Sequence, residues 1–290
     1  MTTPSIGQFN TGLLDYERII VTGGPGSGKS YTWLTIATLF PKRTFHVLDL
    51  DLGTIRVWSK NFPQVSNVHY YTCTDWFSKV ERLDNFSSNS SLRLSRGGVA
   101  SCFDMIAKNA KQGDWVVIET LAALWNMAQA SYIAQVFKQD IGEYFLAQRL
   151  ELKSNAKSLK ALKGWIDWPV VNKLHNDDLI VPIFYKLPVH VFATTTYGIL
   201  SKESEEEEDI KSFYGNEKIR LEGQKHNPYR AQSMFFQYHF DELSKDGKSK
   251  TTTFYIDTFL KDRARPFWRK HELTDFGLEY LVGVAGLTPD

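Results

Sequence analysis

The chain has 290 residues, of which 42% are hydrophobic and 14% aromatic; this is enough for a large folded core and too much for a disordered protein. Its 34 basic and 33 acidic side chains give a net charge of +1, which excludes a global electrostatic attraction to nucleic acid, so any such contact needs a local patch. The two cysteines lack metal-ligand spacing, and no apolar run approaches about 18 residues, which together predict a soluble, cytoplasmic protein without disulfides or membrane contact.

A glycine-rich motif follows the first predicted strand. Residues 18–22 are a short apolar run, Gly23-Gly24-Pro25-Gly26-Ser27-Gly28-Lys29-Ser30 matches the pattern G-x-x-x-x-G-K-[ST], and residues 31–40 can form a helix. Glycines allow the backbone to curl so that N–H groups point at phosphate oxygens, and the positive end of the following helix adds to that field. The order of strand, motif and helix therefore predicts a phosphate-binding loop. The alternative is an ordinary glycine turn.

The motif also predicts individual roles. Lys29 would reach the β- and γ-phosphates, and the hydroxyl of Ser30 would bind Mg²⁺. The predicted nucleotide contacts are the residues of the bend and the one that follows it: Gly23, Gly24, Pro25, Gly26, Ser27, Gly28, Lys29, Ser30 and Tyr31.

Apolar runs alternate with helical stretches along the rest of the chain. Further strands are predicted at 44–51, 68–72, 114–119 and 189–194, helices at about 99–110 and 121–152, and strands of an antiparallel hairpin at 234–240 and 251–260. Such alternation is typical of a mostly parallel sheet with helices on its faces. The predicted fold is therefore an α/β sheet flanked by helices, with antiparallel strands near the C-terminal end.

Polar side chains end three of these predicted strands. Glu119 closes the fourth strand, where an acid can hold a metal through water; the alternative is a strand-end acid that faces solvent. Asp49 and Asp51 close the second strand and share one face, so that one of them could orient an attacking water, or both simply mark the end of the strand. Residues 194–196, all threonine, end the fifth strand, where one hydroxyl could contact the γ-phosphate.

Basic and acidic groups are concentrated in three later segments. Lys153, Lys157, Lys160 and Lys163 have helical spacing and predict one basic face of a helix, for which a solvated face is the simplest interpretation. Lys261 and Arg263 follow the last long strand, where they could reach the nucleotide of a neighbouring subunit, as arginine fingers do, or form a basic surface turn. The acidic run 203–209 is predicted to be a solvated loop that would repel DNA.

These segments resemble the RecA/DnaB-like branch of P-loop ATPases, and within it the small RecA-like NTPases that bacteriophages encode. Residues 116–124, Val-Val-Ile-Glu-Thr-Leu-Ala-Ala-Leu, are similar to the RecA strand that ends in Asp-Ser and continues Val-Ala-Ala-Leu. Asp51 falls at the family's water-activating glutamate, and Thr195 at its γ-phosphate-sensing glutamine. The likeness to phage proteins also includes three segments without an assigned role: Gly113-Asp114-Trp115, residues 168–185 and Gly223-Gln224-Lys225-His226.

The resemblance covers roughly residues 18–270 and implies a RecA-like P-loop NTPase fold that uses ATP and Mg²⁺. It implies that Ser30 and Glu119 hold the metal and that Asp51 orients water, although Glu119 is one methylene longer than the family's aspartate. Lys261 and Arg263 look like the basic pair that reaches the next subunit's ATP, which implies a homo-oligomer.

The predicted domain boundaries follow from the same comparison. An ATPase domain is expected at 18–275, between an N-terminal extension at 1–17 and a C-terminal tail at 276–290. Mobile loops are predicted at about 85–98, 151–164 and 199–213, and the last two lie where the family contacts DNA. The resemblance therefore implies that the face of Lys153, Lys157, Lys160 and Lys163 is a track for the backbone of single-stranded DNA, with a solvated helix face as the alternative.

Two classes of function follow. The first is an ATP-hydrolysing oligomer that acts on single-stranded DNA in recombination, annealing, repair or replication, in the host cytoplasm if a phage encodes it. The second is a nucleotide-dependent scaffold or regulatory switch with a protein partner and no DNA activity, which the acidic run and the near-zero net charge favour. A small-molecule kinase is a third class, but the sequence identifies no acceptor pocket or lid.

Overall fold

The computed structural model describes residues 16–83, 93–154, 167–199, 219–243, 250–265 and 271–290. The strands are β1 (Arg18–Thr22), β2 (Phe45–Asp49), β3 (Val68–Asp75), β4 (Glu81–Arg82), β5 (Arg93–Gly98), β6 (Trp115–Glu119), β7 (His190–Thr195), β8 (Tyr197–Ile199), β9 (Ile219–Leu221), β10 (Ser233–Leu243), β11 (Lys250–Asp262) and β12 (Glu272–Leu273). The α-helices are α1 (Lys29–Leu39), α2 (Thr54–Asn61), α3 (Val99–Asn109), α4 (Leu121–Phe137), α5 (Ile141–Ser154), α6 (Asp167–Asn172) and α7 (Asn227–Arg230). Lys173–Ile180, Pro182–Lys186 and Phe276–Val284 are π-helical.

Ten of these strands form one sheet in the order β12-β11-β10-β1-β7-β6-β2-β3-β5-β4. The central strands, from β10 to β5, run parallel, whereas β11 and β12 at one edge and β4 at the other are antiparallel to their neighbours. Strands β8 and β9 form a separate antiparallel pair. The predicted architecture, a mostly parallel sheet flanked by helices with antiparallel C-terminal strands, is confirmed.

The central strands are buried on both faces. Successive residues of β1 belong to different cores: Ile20 packs with α3, α4 and the π-helical segment Lys173–Ile180, whereas Ile19 and Val21 pack with α1, α2 and the C-terminal π-helix. This follows from the alternation of side chains along a strand, and it explains why β1, β2, β6 and β7 read as continuous apolar runs. Because these strands are parallel, their carboxyl ends lie together at one edge, and the polar residues that end them meet there.

The structure changes several of the predicted elements. The single helix expected at 121–152 is two helices, because Lys138 takes a left-handed conformation with φ 57° that ends α4. Residues 93–98, predicted as loop, form β5 beside β3. The rest of that loop, residues 84–92, and the acidic run lie outside the described residues, as do Lys157, Lys160 and Lys163; of the lysine face, only the backbone of Lys153, in α5, is described.

The predicted C-terminal tail is part of the core. Residues 276–284 form a π-helix whose buried side chains pack on the α1 face of the sheet. The hydroxyl of Tyr280 lies 2.7 Å from Glu17 Oε2 and 2.7 Å from Ser233 Oγ. Arg265 donates to both Glu17 and Asp262, so that the start of the described chain, β10, β11 and the C-terminal segment share one buried polar network. Among the described residues, no helix is long and apolar enough to cross a membrane.

The Tyr280→Phe substitution tests this network. Removing the hydroxyl leaves the buried Glu17 and Ser233 with one partner fewer, so we expect the free energy of unfolding to fall by about 1–3 kcal/mol in urea denaturation. The matched control is Leu278→Ala, which truncates an exposed side chain of the same segment and should change the free energy by less than about 0.5 kcal/mol. Equal effects of the two substitutions would contradict a structural role for the tail.

Candidate nucleotide-binding site

The glycine-rich motif forms a tight bend between β1 and α1. Gly26 and Gly28 have φ values of 75° and 101°, a left-handed region in which glycine carries no steric penalty. The N–H of Ser27 donates to the carbonyl of Gly24 at 3.2 Å and closes the turn. The bend therefore passes through two left-handed residues and leads directly into α1, and the N-terminus of a helix can bind an anion.

The bend also lies directly against the C-terminal hairpin. A Cβ atom on Gly23 would lie 2.2 Å from the carbonyl oxygen of Gln237 in β10, and one on Gly28 would lie 2.2 Å from the ring of Tyr255 in β11. Neither position tolerates a side chain without a shift of its neighbours. Glycine is thus required at Gly23 by close packing, and at Gly28 by both packing and backbone conformation.

Lys29 folds back over the bend. Its Nζ donates to the carbonyls of Gly23 and Gly24 at 2.8 and 2.9 Å and lies 3.3 Å from Ser27 Oγ. Burial lowers the pKa of Lys29, and the nearby carboxylates of Glu119 and Asp51 oppose that shift. The ammonium is therefore held inside the bend by carbonyl oxygens, close to the carboxylates of Glu119 and Asp51.

Glu119 is buried at the carboxyl end of β6 and faces α1. Its Oε1 accepts a hydrogen bond from Trp33 Nε1 at 2.8 Å, and its Oε2 accepts one from Thr194 Oγ1 at 2.7 Å. Burial is the main reason that its pKa rises to about 7, and the negative charges of two aspartates add to this; hydrogen bonds from Thr194 and from Ser30 act in the opposite direction. Glu119 thus lies beside the motif's serine and does not face solvent.

Asp49 and Asp51 have different environments although they end the same strand. Asp49 is fully buried; its Oδ1 accepts from the backbone N–H groups of Asp51 and Leu52, and its Oδ2 accepts from the hydroxyl of Tyr70. Burial raises the pKa of Asp49 to about 6, an effect that the charge of Asp51 reinforces. Asp51 is exposed, and its charge is close enough to affect the pKa of Lys29. Asp49 therefore holds the loop, and Asp51 is the carboxylate that solvent can reach.

The donor set suits a magnesium ion bound together with phosphate. Mg²⁺ keeps several waters and is held by one or two protein groups plus substrate phosphates. Ser30 and Glu119 supply two such oxygen ligands side by side, and the carboxylates of Asp49 and Asp51 give the surroundings a negative charge. Within the described part of the chain, no cluster of three or more acidic, histidine or cysteine side chains could hold a metal by itself. These residues fit Mg²⁺ as a partner of the nucleotide.

Neighbouring threonines at the end of β7 have different partners. The hydroxyl of Thr194 donates to Glu119, whereas the hydroxyl of Thr195, proposed from the sequence to sense the γ-phosphate, donates to the carbonyl of Glu222 at 2.9 Å. Because side chains alternate along a strand, the two cannot point to the same face. In this structure it is Thr194 that lies beside the carboxylate, and Thr195 is fully buried next to it.

The structure does not bring Lys261 and Arg263 to the bend of their own chain. Lys261 pairs with Met234 near the start of β10, and β10 runs parallel to β1. Both basic residues therefore lie at the end of the sheet where β1 begins, whereas the glycine-rich motif follows the other end of β1. Lys261 Nζ donates to the carbonyls of Pro228 and Ala231, and Arg263 donates to the carbonyl of Tyr229. Burial lowers the pKa of Lys261 to about 8. Any contact of this pair with a nucleotide must therefore be made to another subunit.

A small cavity of about 190 Å³ adjoins the bend. Tyr31 and Tyr255 line it, with ring centroids 5.0 Å apart, and so does the buried carboxylate of Asp257. Gln237 Nε2 donates to Asp257 Oδ2 at 3.1 Å, but Asp257 Oδ1 has no hydrogen-bond partner among the described residues. Burial raises the pKa of Asp257 to about 8, so the group is mostly neutral at pH 7. The cavity is aromatic and contains one buried polar group.

Three contributors to the site were not identified from the sequence. Trp33 lies four residues after Lys29, one helical turn farther along α1. This spacing puts the two side chains on the same face of the helix and could have indicated that Trp33 lies close to the site. Tyr70 and Asp257 lie on strands that the sequence did predict, but nothing in the local pattern indicated that they would meet Asp49 or the bend. Their contacts depend on the order of strands in the sheet.

Comparisons with known proteins found similarity to solved structures, but no match to a protein-family model or to a curated protein. A solved structure, the crystal structure of the RadB recombinase, aligns with 88% of this chain and 84% of its own, with 11% sequence identity and a TM-score of 0.39.

The Asp257→Asn substitution tests the burial of this acid. A carboxyl whose pKa is raised by folding stays protonated in the folded state while the unfolded chain ionises, so its contribution to stability is lost as pH rises from about 4 to about 8. The amide that replaces the carboxyl cannot ionise, so we expect the melting temperature of the variant to rise relative to that of wild type between about pH 4 and pH 8. The control is Asp104→Asn, on an exposed position of α3, which should show no such trend. Parallel pH profiles for Asp257→Asn and wild type would contradict the assignment.

Proposed function

We propose that this protein binds ATP in the bend between β1 and α1, hydrolyses it as an oligomer, and acts on single-stranded DNA as a RecA-like ATPase. The observation that supports this most strongly is the position of the Lys29 ammonium. It lies inside a glycine bend, bonded to oxygens of that bend, with Ser30 and a buried carboxylate next to it. This arrangement suits a triphosphate, because the N-terminus of a helix, an ammonium group and two oxygen ligands for a metal lie next to one another.

Each residue would have a definite part in hydrolysis. The ammonium of Lys29 would exchange the carbonyls of Gly23 and Gly24 for phosphate oxygens and stabilise the charge that develops on them. Ser30 and Glu119 would hold Mg²⁺, which supplies a Lewis acid that neutralises charge on the phosphates. Trp33 and Thr194 would fix the orientation of the Glu119 carboxylate. Asp51, exposed at the mouth of the site, would orient the attacking water.

The base of the nucleotide would lie in the cavity beside the bend. Tyr31 and Tyr255 offer aromatic surface there, and the neutral carboxyl of Asp257 can donate a hydrogen bond to a ring nitrogen. The N-terminal part of α1 lines both the phosphate bend and this cavity, so one nucleotide can reach both.

Lys261 and Arg263 would complete the site of the next subunit. They lie at the opposite end of β1 from the bend of their own chain. Their side chains donate hydrogen bonds to backbone carbonyls near α7, and phosphate oxygens of a neighbouring subunit's nucleotide could replace these carbonyls when subunits assemble. The assembly is a homo-oligomer with a head-to-tail interface, because donor and acceptor surfaces lie on opposite edges. The proposed DNA contacts include the lysine face, Lys153, Lys157, Lys160 and Lys163.

The Lys29→Ala substitution tests the phosphate site. Loss of this ammonium should lower the steady-state turnover of ATP by at least about 10²–10³-fold, as the removal of one preorganised electrostatic group typically does. The control is Lys60→Ala, in the last turn of α2, which removes an exposed lysine and should leave turnover unchanged. Turnover should be measured with and without single-stranded DNA, at several salt concentrations. If Lys29→Ala hydrolyses ATP like wild type, the proposed function is wrong.

Mixing two inactive variants tests the contribution from a second subunit. Arg263→Ala should lower turnover in assemblies but leave the affinity of one chain for ATP unchanged, since Arg263 does not contact its own bend. Lys29→Ala subunits retain an intact Arg263, and Arg263→Ala subunits retain an intact bend, so an equal mixture should recover part of the turnover that each lacks alone. No recovery in assemblies of normal size would contradict the trans role and leave the phosphate site itself unaffected.

A further inference from the structure

We propose that Trp125 and Trp168 form a stacking platform for an unpaired base of single-stranded DNA, with Lys225 as the contact to its phosphate. This inference rests on the proposed action on DNA and assigns it a place on the molecule. It involves two of the segments that the sequence marked without giving them a role, residues 168–185 and Gly223-Gln224-Lys225-His226.

The platform lies in a cavity of about 460 Å³ at the carboxyl edge of the sheet. Three elements meet there: the first turns of α4, which carry Trp125; α6, which carries Trp168; and the segment after β9, which carries Lys225. The cavity is large enough for one base with its sugar, given that ligand pockets typically measure about 300–1,000 Å³.

The two indole rings are nearly parallel and stack against each other. Their centroids are 5.8 Å apart and their planes differ by 16°, so they form an offset stack. Both side chains are only partly buried, and both line the cavity. His175 packs its edge against Trp125 at 5.1 Å, and burial lowers the pKa of His175 to about 4, so that this support is an uncharged ring at neutral pH. Every base presents a π-face, and stacking on such a surface accepts any sequence.

The polar part of the cavity is held in place by its own hydrogen bonds. Gln224 Nε2 donates to Asn172 Oδ1 at 3.1 Å, and Gln224 Oε1 accepts from the backbone N–H of His226 at 2.6 Å. Gly223 has φ 105°, and a Cβ atom there would lie 3.1 Å from the carbonyl oxygen of Leu121, so the segment is fixed against the start of α4. The backbone next to Lys225 is thereby positioned before any ligand arrives.

Charge distinguishes this cavity from the larger apolar groove between β3 and α4. Lys225 is exposed at the rim of the platform cavity and is the cation among the described side chains that line this cavity. The described lining of the groove near Phe77 contains Asp75 and Asp140 but no basic side chain. Aromatic surface together with a cation is the combination that binds single-stranded nucleic acid. A groove lined by acids would repel it.

Binding of a fluorescent oligothymidine, measured by anisotropy at several salt concentrations, tests this proposal. Trp168→Ala should weaken binding by about 5- to 150-fold, the loss expected for one stacked base, without changing its salt dependence. Trp168→Phe keeps an aromatic face and should recover most of that loss. Lys225→Ala should weaken binding and lower the slope of log affinity against log salt by about one unit, as removal of one phosphate contact does.

Controls separate this inference from the proposed function. Phe77→Ala removes an exposed aromatic ring from the other groove and should leave DNA affinity unchanged, and affinity for a fluorescent ATP analogue should be the same in all four variants. An oligonucleotide that carries 5-iodouracil should crosslink to Trp125 or Trp168 under ultraviolet light.

Wild-type DNA binding with neither crosslinks nor an effect of Trp168→Ala would overturn the platform and leave the proposed function intact. Failure of wild type to bind the oligonucleotide at low salt would overturn both the platform and the DNA part of that function, whereas ATP turnover tests the remainder.

Discussion

The close approach of the phosphate bend to the C-terminal hairpin is the constraint on which the site depends. The bend is followed by α1, and the hairpin strand β10 runs parallel to β1, so the N-terminal and C-terminal parts of the chain meet at the bend. A single additional carbon on Gly23 or Gly28 would collide with Gln237 or Tyr255. Close packing therefore requires glycine at both positions, and at Gly28 the left-handed backbone requires it as well. A bend supported on one side only would lack this preorganisation.

Electrostatics in the site are unfavourable without a cation. Burial raises the pKa values of Glu119 and Asp49 to about 7 and about 6, and the charge of Asp49 adds to the shift of Glu119. Lys29 carries the compensating positive charge, but burial lowers the pKa of its ammonium group as well. A divalent ion between Ser30 and Glu119 would reverse these costs, because an opposite charge favours the ionised acid. If a metal and a nucleotide bind at this proposed site, they would favour the ionised forms of Glu119 and Asp49, so binding would be accompanied by release of protons.

Local patterns predicted the parts of the site that local chemistry determines. The motif at 23–30, the apolar strands that end in Asp49 and Glu119, and the antiparallel hairpin could all be predicted, since each depends on residues that are adjacent in sequence. Trp33 was not identified although it lies one helical turn after Lys29. Tyr70 and Asp257 could not be placed, because their contacts arise from the order of strands in the sheet, which the sequence does not specify. The short strand β4 and the packing of the C-terminal segment were missed for the same reason. The break between α4 and α5 has no glycine or proline to mark it, since Lys138 adopts the left-handed conformation that usually indicates glycine.

The end of β7 bonds groups next to both the proposed phosphate site and the proposed aromatic platform. Thr194 donates to Glu119 on one side of the strand, and Thr195 donates to the carbonyl of Glu222 on the other. Glu222 returns a hydrogen bond from its N–H to the carbonyl of Thr196 and is followed directly by Gly223, which packs against the first residue of α4. A metal that draws Glu119 toward Ser30 would pull on Thr194, and the same strand end carries the segment that leads to Lys225. If the two sites influence each other through this strand, the effect must be reciprocal: DNA bound on the platform has to change the affinity for nucleotide by the same factor that nucleotide changes the affinity for DNA. The hydroxyl of Thr194 bonds Glu119, whereas those of Thr195 and Thr196 bond Glu222, the residue before Gly223, so any such coupling would run through the end of β7.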